Sequence, residues 1–167
     1  MQDRYAGDFG DFVKLSLLRV LAKDRCLGVA WYLTPDENGG DGQHIAYLDH
    51  DQEHRWRSLD PDLYDRLRQM VDSGDRRVEV LEPISLPPST TFVRDPVPAV
   101  AGRSQWFDAA WEALRGCDIV FADPDNGLEP AGFKPGRRKS IKSITYHEIR
   151  ALLNLGGPVV IYHHLTR

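Results

Sequence analysis

The sequence predicts an α/β fold with a three-layer, mainly parallel, Rossmann-like sheet, and three observations support this class. Apolar, strand-like runs alternate with amphipathic helical segments, an order typical of parallel strands joined by crossover helices. The composition, 41% hydrophobic and 28% charged, is that of a globular protein. The length, 167 residues, is typical of one domain built around a single hydrophobic core. We therefore expect residues 1–167 to form a single α/β domain.

The first half of the chain predicts two helices and four strands. Residues 11–22 carry apolar side chains at three- and four-residue steps, and Asp8 or Asp11 can cap their start. Residues 61–71 follow Asp60, a helix N-cap, with Pro61 at the first helical position. Apolar and β-branched runs predict strands at 27–33, 44–48, 78–81 and 91–93.

The second half continues the alternation. Helices are predicted from Ser104 to Gly116, which stops the first of them, and from Thr145 through Leu155. Buried strands are predicted at 118–122 and 159–162. Because an open sheet usually needs further cover after its last strand, the sequence also predicts a chain truncated at its C-terminus.

The sequence also indicates where in the cell the protein is expected. No apolar run reaches the roughly 18 residues that a membrane span needs, and the N-terminus lacks the apolar core of a secretion signal. Cys26 and Cys117 stand beside apolar stretches without metal-type spacing, so each is interpreted as a reduced core thiol. We expect a cytoplasmic protein with no membrane partner.

The densest cluster of polar groups, Asp123-Pro124-Asp125-Asn126-Gly127-Leu128-Glu129, follows the strand at 118–122. Ligands of parallel sheets bind outside the carboxyl ends of strands. One interpretation is a strand-ending turn whose side chains cap local backbone groups. Another uses Asp123, Asp125, Asn126 and Glu129 as oxygen ligands for Mg²⁺ or Ca²⁺, or as acceptors for an amine or sugar.

Other candidate binding residues lie elsewhere in the sequence. Asp36, Glu37 and Gly40 lie in the glycine-rich loop after the first strand, the usual nucleotide position, although G-x-G-x-x-G is absent. Lys14 stands in the first turn of a helix, against the helix dipole; such a lysine serves a ligand, pairs with an acid, or is simply solvated. A basic loop carries Lys134, Arg137, Arg138, Lys139 and Lys142 and favours either phosphate binding or solubility.

Three stretches of the sequence resemble a family of uncharacterised bacterial and prophage-associated proteins. The resemblance covers nearly the whole chain. They are Asp3 to Lys14 (Asp-Arg-Tyr-Ala-Gly-Asp-Phe-Gly-Asp-Phe-Val-Lys), Trp31 to Glu37 (Trp-Tyr-Leu-Thr-Pro-Asp-Glu), and Phe121 to Glu129, with Tyr162-His163-His164 following later. More distantly, the order of features is similar to the J-type ribosomal RNA adenine-N6 methyltransferases. Those begin with an Ala-Gly-Asn-x-x-Asp-x-x-Lys helix, which Ala6 to Lys14 matches at most positions.

The methyltransferase resemblance implies roles for several residues. S-adenosylmethionine would lie near Lys14, Asp36 and Asp95. The catalytic Asp-Pro-Pro-Tyr strand end is matched by Asp123-Pro124, so the Asp123 side chain and the Pro124 carbonyl would accept the hydrogens of the target amine. Asp125 and Asn126 complete the candidate catalytic set and stand where the family has Pro-Tyr, so the ring that stacks on a flipped base is missing from the motif.

Three functions follow from these patterns. The first is a methyltransferase-like protein acting on nucleic acid or a nucleotide, with the basic loop guiding phosphates. The second is a Mg²⁺-dependent phosphoesterase or nuclease that uses Asp123, Asp125 and Glu129. The third is a non-catalytic binding module that kept the fold and lost the chemistry.

Overall fold

The computed structural model describes residues 1–37, 44–98, 101–134 and 137–163, without the side chains of Arg138 and Lys139. These residues form two compact units. The sheet unit contains Met1, residues 24–35 and the chain from Ser89 onward, and the helical unit contains residues 2–23 and 36–88. Within the described ranges, no helix has the length and apolar character needed to cross a membrane.

The described residues include four strands and six α-helices. The strands are β1 (Leu27–Ala30), β2 (Thr91–Val93), β3 (Ile119–Ala122) and β4 (Val159–Ile161). The helices are α1 (Phe9–Leu21), α2 (Glu53–Trp56), α3 (Pro61–Ser73), α4 (Val78–Ser85), α5 (Arg103–Leu114) and α6 (Tyr146–Leu153). All four strands are parallel, in the order β2-β1-β3-β4. This is the element content of a three-layer Rossmann-like fold, and the predicted α/β class is confirmed.

The core of the sheet unit lies between the sheet and the two helices of that unit. Helix α5 contacts β1 and β2, and α6 contacts β4 and α5. Apolar side chains from α5, including Phe107 and Leu114, pack with Val120 and Ala122 of β3. Thr145 starts α6 with a reciprocal capping box to Glu148, as its position in the sequence predicts. The packing of α5 and α6 therefore stabilises the sheet, which positions the loops that follow its strands.

The helical unit packs α1 against α3 and α3 against α4. Asp8 caps α1 by accepting from the Asp11 N–H, and Asp60 caps α3 in the same way through Leu63. The rings of Phe12, Tyr47 and Tyr64 meet in its core. Local capping signals thus place both long helices where the sequence predicts them.

Two predicted strands are wrong. Residues 78–81 begin α4, in which Val78, Leu81, Glu82 and Ser85 are buried at helical spacing, and the Val78 N–H donates to Asp3 Oδ1. Residues 44–48 contain a short 3-10 helix, Ala46–Leu48, because Tyr47 is buried and its hydroxyl donates to the Gly7 carbonyl. Both runs have β-forming residues, but contacts within the helical unit decide their conformation.

Strand β1 is shorter than predicted. It ends at Ala30, and Tyr32 has a left-handed φ of +49° although it is not glycine. A buried non-glycine residue in this region costs of order 1–3 kcal/mol and persists where surrounding contacts hold it, most often at functional sites. The bend at Tyr32 turns the chain out of the sheet at its carboxyl edge.

Candidate functional site

The sheet has its topological switch point between β1 and β3. The chain passes from β1 to β2 on one side, then crosses to β3 on the other side of β1. In open parallel sheets this is where ligands bind, in the crevice outside the carboxyl ends of the two strands. Here that crevice is bounded by residues 31–34 after β1 and by Asp123 to Asp125 after β3.

An ammonium group lies in this crevice, and oxygen atoms from both strand ends surround it. The group is the α-ammonium of Met1. It donates to the carbonyl oxygens of Trp31 at 3.1 Å, Tyr32 at 3.1 Å and Asp123 at 3.0 Å, and it lies 2.8 Å from Asp125 Oδ1. The crevice therefore has the chemistry of an amine-binding site, with three neutral acceptors and one carboxylate.

The Asp125 side chain is the charged member of this site. Its Oδ2 accepts from the Thr34 hydroxyl at 3.0 Å and lies 3.6 Å from Lys142 Nζ. The Asp125 side chain is 7% exposed, and Asp123 is 3% exposed. The two aspartates predicted to be catalytic are thus buried, and Asp125 has donors on both of its carboxylate oxygens.

The motif after β3 forms a tight turn, as one of its sequence interpretations predicts. The Gly127 N–H donates to the Pro124 carbonyl at 3.1 Å, and the Asn126 N–H donates to the Lys142 carbonyl at 2.7 Å. Gly127 has a φ of +72°, and its Cα faces His163, whose Nδ1 accepts from the Leu128 N–H at 3.1 Å. The turn is consequently fixed from two sides, by the segment around Lys142 and by His163, two residues after β4.

A cleft of about 660 Å³ opens beside this turn, and we call it the motif cleft. Its lining consists of Asn126, Leu128, Glu129, Pro130, Gly132, Phe133, Lys134, Arg137, Ser140, Ser143, Tyr146 and His163. It brings together Asn126, predicted to be catalytic, with Lys134 and Arg137, predicted to contact nucleic acid. The side chains of Arg138 and Lys139 lie outside the described part of the chain.

Two aromatic side chains line the motif cleft, and neither was among the residues predicted for the site. Tyr146 is 54% exposed, and Phe133 is half-buried. Exposed rings beside cations are typical of surfaces that bind bases. The signal was available, because Phe133 stands inside the basic loop and Tyr146 is the first residue of the predicted helix after Thr145, outside its apolar face.

The carboxylates of the motif do not form a metal centre. Among the described residues, no three His, Cys, Asp or Glu side chains converge as a metal ion requires. Glu129 Oε1 accepts from the Tyr146 N–H at 2.9 Å, at the start of α6. The metal-dependent alternative, which needs Asp123, Asp125 and Glu129 together, therefore receives no support from the geometry.

A partly buried ion pair between Arg103 and Glu148 holds the segment that carries the basic loop. Arg103 Nε and Nη2 donate to the two carboxylate oxygens of Glu148 at 2.7 and 2.9 Å, and the same guanidinium donates to the carbonyls of Ser140 and Ser143. The Tyr32 hydroxyl lies 3.4 Å from Glu148 Oε2. Burial, with a further contribution from Glu148, raises the pKa of Tyr32 well above its ordinary value. Tyr32 therefore stays neutral and donates to this network.

The predicted cofactor residues fall in both units. Asp95 follows β2 in the sheet unit; it is exposed, and its carbonyl accepts from Trp106 Nε1 at 2.9 Å. Lys14 lies in the helical unit and is 6% exposed, with Nζ 2.7 Å from Asp11 Oδ1. The interpretation of Lys14 as a solvated lysine is wrong, and its position against the helix dipole is offset by an acidic partner.

Asp36 and Glu37 also belong to the helical unit. Asp36 Oδ1 accepts from the Arg4 N–H at 3.4 Å, and the Glu37 N–H donates to Gln2 Oε1 at 3.2 Å. Both residues are exposed, so their carboxylates reach solvent. Gly40 lies outside the described residues.

Comparison with protein-family models, curated protein sequences and solved structures finds no match for this chain. The fold is that of a parallel α/β protein. A crevice between β1 and β3 holds the Met1 ammonium, and a basic, aromatic cleft lies at the same edge of the sheet. Its function has to be inferred from those features.

Proposed function

We propose that this chain is a methyltransferase-like protein that binds S-adenosylmethionine and acts on an amino group of a nucleotide or nucleic acid. The observation that carries the proposal is the motif cleft, in which Asn126 of the strand-end motif shares one cavity with two cations and two aromatic rings. Each of these groups matches one part of a nucleotide.

The cations supply the phosphate contacts. Lys134 and Arg137 are both exposed on the rim of the cleft, so their charged ends reach a ligand without desolvation of a buried pair. Phosphate contacts by lysine and arginine release counterions and dominate the affinity of nucleic-acid binding. Such contacts do not distinguish one base from another. They position the nucleic-acid strand, and other groups must provide specificity for the base.

The rings supply the base contacts. Tyr146 and Phe133 line the same cleft as Asn126, and stacking of a base on an aromatic side chain is worth about 1–3 kcal/mol. The motif itself has Asp125-Asn126 where the resembling methyltransferases have Pro-Tyr, so the missing ring would be supplied from the cleft wall. The Asn126 amide, with one acceptor and two donor hydrogens, suits the Watson–Crick edge of a base.

The crevice between β1 and β3 supports the chemistry. Methyl transfer to an amine needs acceptors for the hydrogens of that amine. The carbonyl oxygens of Trp31, Tyr32 and Asp123 accept from the α-ammonium of Met1 there, which a target amine would have to displace. The carboxylate of Asp125 stabilises positive charge on the nitrogen. S-adenosylmethionine, when bound, would supply the methyl group.

The residues of the sheet unit fit part of this cofactor. Asp95 is an exposed carboxylate two residues after the end of β2, and β2 lies beside β1 in the sheet. A carboxylate at the end of the second strand is well placed to accept from ribose hydroxyls in nucleotide-binding α/β folds. The ribose end of the cofactor is therefore assigned to Asp95.

Binding of S-adenosylmethionine is the first test. We expect calorimetry to detect both the cofactor and its demethylated product, and Asp95→Ala to weaken each by about tenfold, the effect of losing roughly 1.4 kcal/mol of hydrogen bonding. Asp108→Ala is the matched control, because Asp108 is an exposed aspartate of the same unit, on α5. No heat of binding for either compound would exclude the methyltransferase part of the proposal.

Binding of a single-stranded oligonucleotide is the second test, followed by fluorescence anisotropy over a range of salt concentrations. We expect the double variant Lys134→Ala/Arg137→Ala to bind more weakly. The slope of log K against log salt should become less negative by about 0.7 for each phosphate that the variant no longer neutralises. Tyr146→Ala should lower the affinity by roughly 5- to 150-fold, the equivalent of about 1–3 kcal/mol of stacking.

The control for the charge change is Arg25→Ala/Arg115→Ala. Both arginines are exposed in the sheet unit and precede β1 and β3, so they lie at the opposite edge of the sheet from the motif. Equal losses of affinity in the two double variants would show that only net charge matters and would contradict a nucleic-acid site in the motif cleft. Oligonucleotide binding without cofactor binding would instead identify a non-catalytic binding module.

A further inference from the structure

The two cysteines of the chain lie side by side, although 91 positions separate them in sequence. Both are free thiols, and their Sγ atoms are 3.6 Å apart. Cys26 immediately precedes β1 and is half-buried, whereas Cys117 stands two residues before β3 and is buried. Their interpretation as separate core thiols therefore needs a correction: they form a pair.

The backbone holds this pair in place. Strands β1 and β3 are neighbours in the sheet, with Leu27 opposite Ile119. The Cys26 carbonyl accepts from the Asp118 N–H at 2.8 Å, and the Cys26 N–H donates to Asp118 Oδ2 at 2.7 Å. Because the central strand pairing extends to the residues that carry the thiols, the sulfur atoms remain neighbours whenever the sheet is folded.

A glycine makes room for the buried sulfur. A Cβ atom on Gly28 would lie 3.0 Å from Cys117 Sγ and 2.6 Å from Leu114 Cδ2. Cys117 therefore packs over the backbone of β1, on the strand that Cys26 begins. To form a disulfide bond of about 2.05 Å, the sulfur atoms would have to approach by roughly 1.6 Å, a movement within reach of side-chain rotation.

We propose that Cys26 and Cys117 are an oxidation site that closes to a reversible intramolecular disulfide on exposure to hydrogen peroxide. The Cys26 thiolate attacks one peroxide oxygen, the O–O bond breaks, and the hydroxide that leaves takes up a proton to become water. Cys26 is then a sulfenic acid. Cys117 sulfur attacks Cys26 sulfur, the S–O bond breaks, and the departing hydroxide takes the Cys117 proton and leaves as a second water.

The difference between the two environments sets the order of these steps. Cys26 is the more exposed thiol and meets the peroxide first, since access and thiolate character govern oxidation. Burial and a hydrogen bond with Cys26 raise the pKa of the Cys117 thiol, which keeps it protonated and protected until its partner is oxidised. Cys117 thus acts as the resolving thiol.

The oxidation site lies at the amino edge of the sheet, whereas Asp123 and the motif cleft lie at the carboxyl edge. It is therefore independent of the proposed function. A covalent link between the starts of β1 and β3 would restrict the unfolded chain across a long loop, so the oxidised protein should melt at a higher temperature than the reduced one.

Mass spectrometry of the whole protein treated with hydrogen peroxide tests the proposal. We expect a monomer that has lost two hydrogen atoms, a non-reduced peptide pair joining Cys26 to Cys117, and no free thiols. Dithiothreitol should restore both thiols. In Cys117→Ser the reaction should stop at a sulfenic acid on Cys26, which dimedone traps.

Two outcomes would overturn the proposal. One is wild-type protein that keeps both thiols at a peroxide concentration that oxidises the thiol of free cysteine under the same conditions. The other is oxidation only to sulfinic acid or to disulfide-linked dimers. Because both results are read on folded wild-type protein, they do not depend on the stability of the serine variant.

Discussion

Replacing Arg103 by alanine is expected to lower the free energy of unfolding by about 3 kcal/mol, the lower end of the usual cost of removing one partner from a buried ion pair, because Arg103 is only partly buried. The Arg103 side chain is 17% exposed and that of Glu148 is 5% exposed. Without the guanidinium, the Glu148 carboxylate would be buried without its cation, and the carbonyls of Ser140 and Ser143 would each lose a donor. Chemical denaturation measured by circular dichroism gives the change directly.

A double-mutant cycle isolates the interaction energy between Arg103 and Glu148 from the contacts that each side chain makes with other residues. Arg103→Leu/Glu148→Leu should be less destabilised than the sum of the two single variants, because an apolar pair leaves no buried charge. Arg115→Ala is the control, since its pair with Glu112 is 65% and 64% exposed and such surface pairs are worth at most about 1 kcal/mol. Additive effects in the cycle would show that Arg103 and Glu148 do not act together.

The Arg103 variant should also weaken oligonucleotide binding. Arg103 does not line the motif cleft, but it holds the carbonyls of Ser140 and Ser143, and both serines line that cleft. Loss of affinity at a temperature where the variant is still folded would identify Arg103 as a positioning residue for the basic loop. We expect the effect to be smaller than that of the variant that removes Lys134 and Arg137.

Replacing Gly127 by alanine is the other change with a large expected effect, a loss of roughly 1–3 kcal/mol of stability. An L-residue in the left-handed region costs about 1–2 kcal/mol, and Gly127 has a φ of +72°. The added Cβ would also overlap the ring of His163 at its Nδ1. The ring must move, and the hydrogen bond from the Leu128 N–H would be broken with it.

Gly132→Ala separates these two causes. Gly132 has a φ of +76°, nearly the same as Gly127, and no atom of the described residues lies within 4 Å of the position of its Cβ. The difference in stability between the two variants therefore measures the contact with His163. Adding His163→Ala to Gly127→Ala should recover part of the stability. Equal stabilities for the two glycine variants would mean that the contact with His163 does not contribute to the loss of stability in Gly127→Ala.

The candidate site could be predicted only in part. The sequence places Asp123 to Asn126 at the end of a buried strand because an apolar run followed by Asp-Pro is a local signal, and β3 and its turn agree with it. It does not separate the Asp123 and Asp125 side chains, which have little exposure, from the exposed Asn126, since burial depends on which distant groups cover each side chain. For the same reason, the sequence did not predict the crevice that holds the Met1 ammonium.

The sequence by itself determined the α/β class, the cap-defined helices α3 and α6, and the position of β3, because helical periodicity and capping act between residues a few positions apart. Only the tertiary structure decided the switch point between β1 and β3, the helical state of residues 78–85, the pairing of Cys26 with Cys117 and the Arg103–Glu148 pair. Each of these joins or depends on residues far apart in the chain, and local pattern carries no information about such contacts.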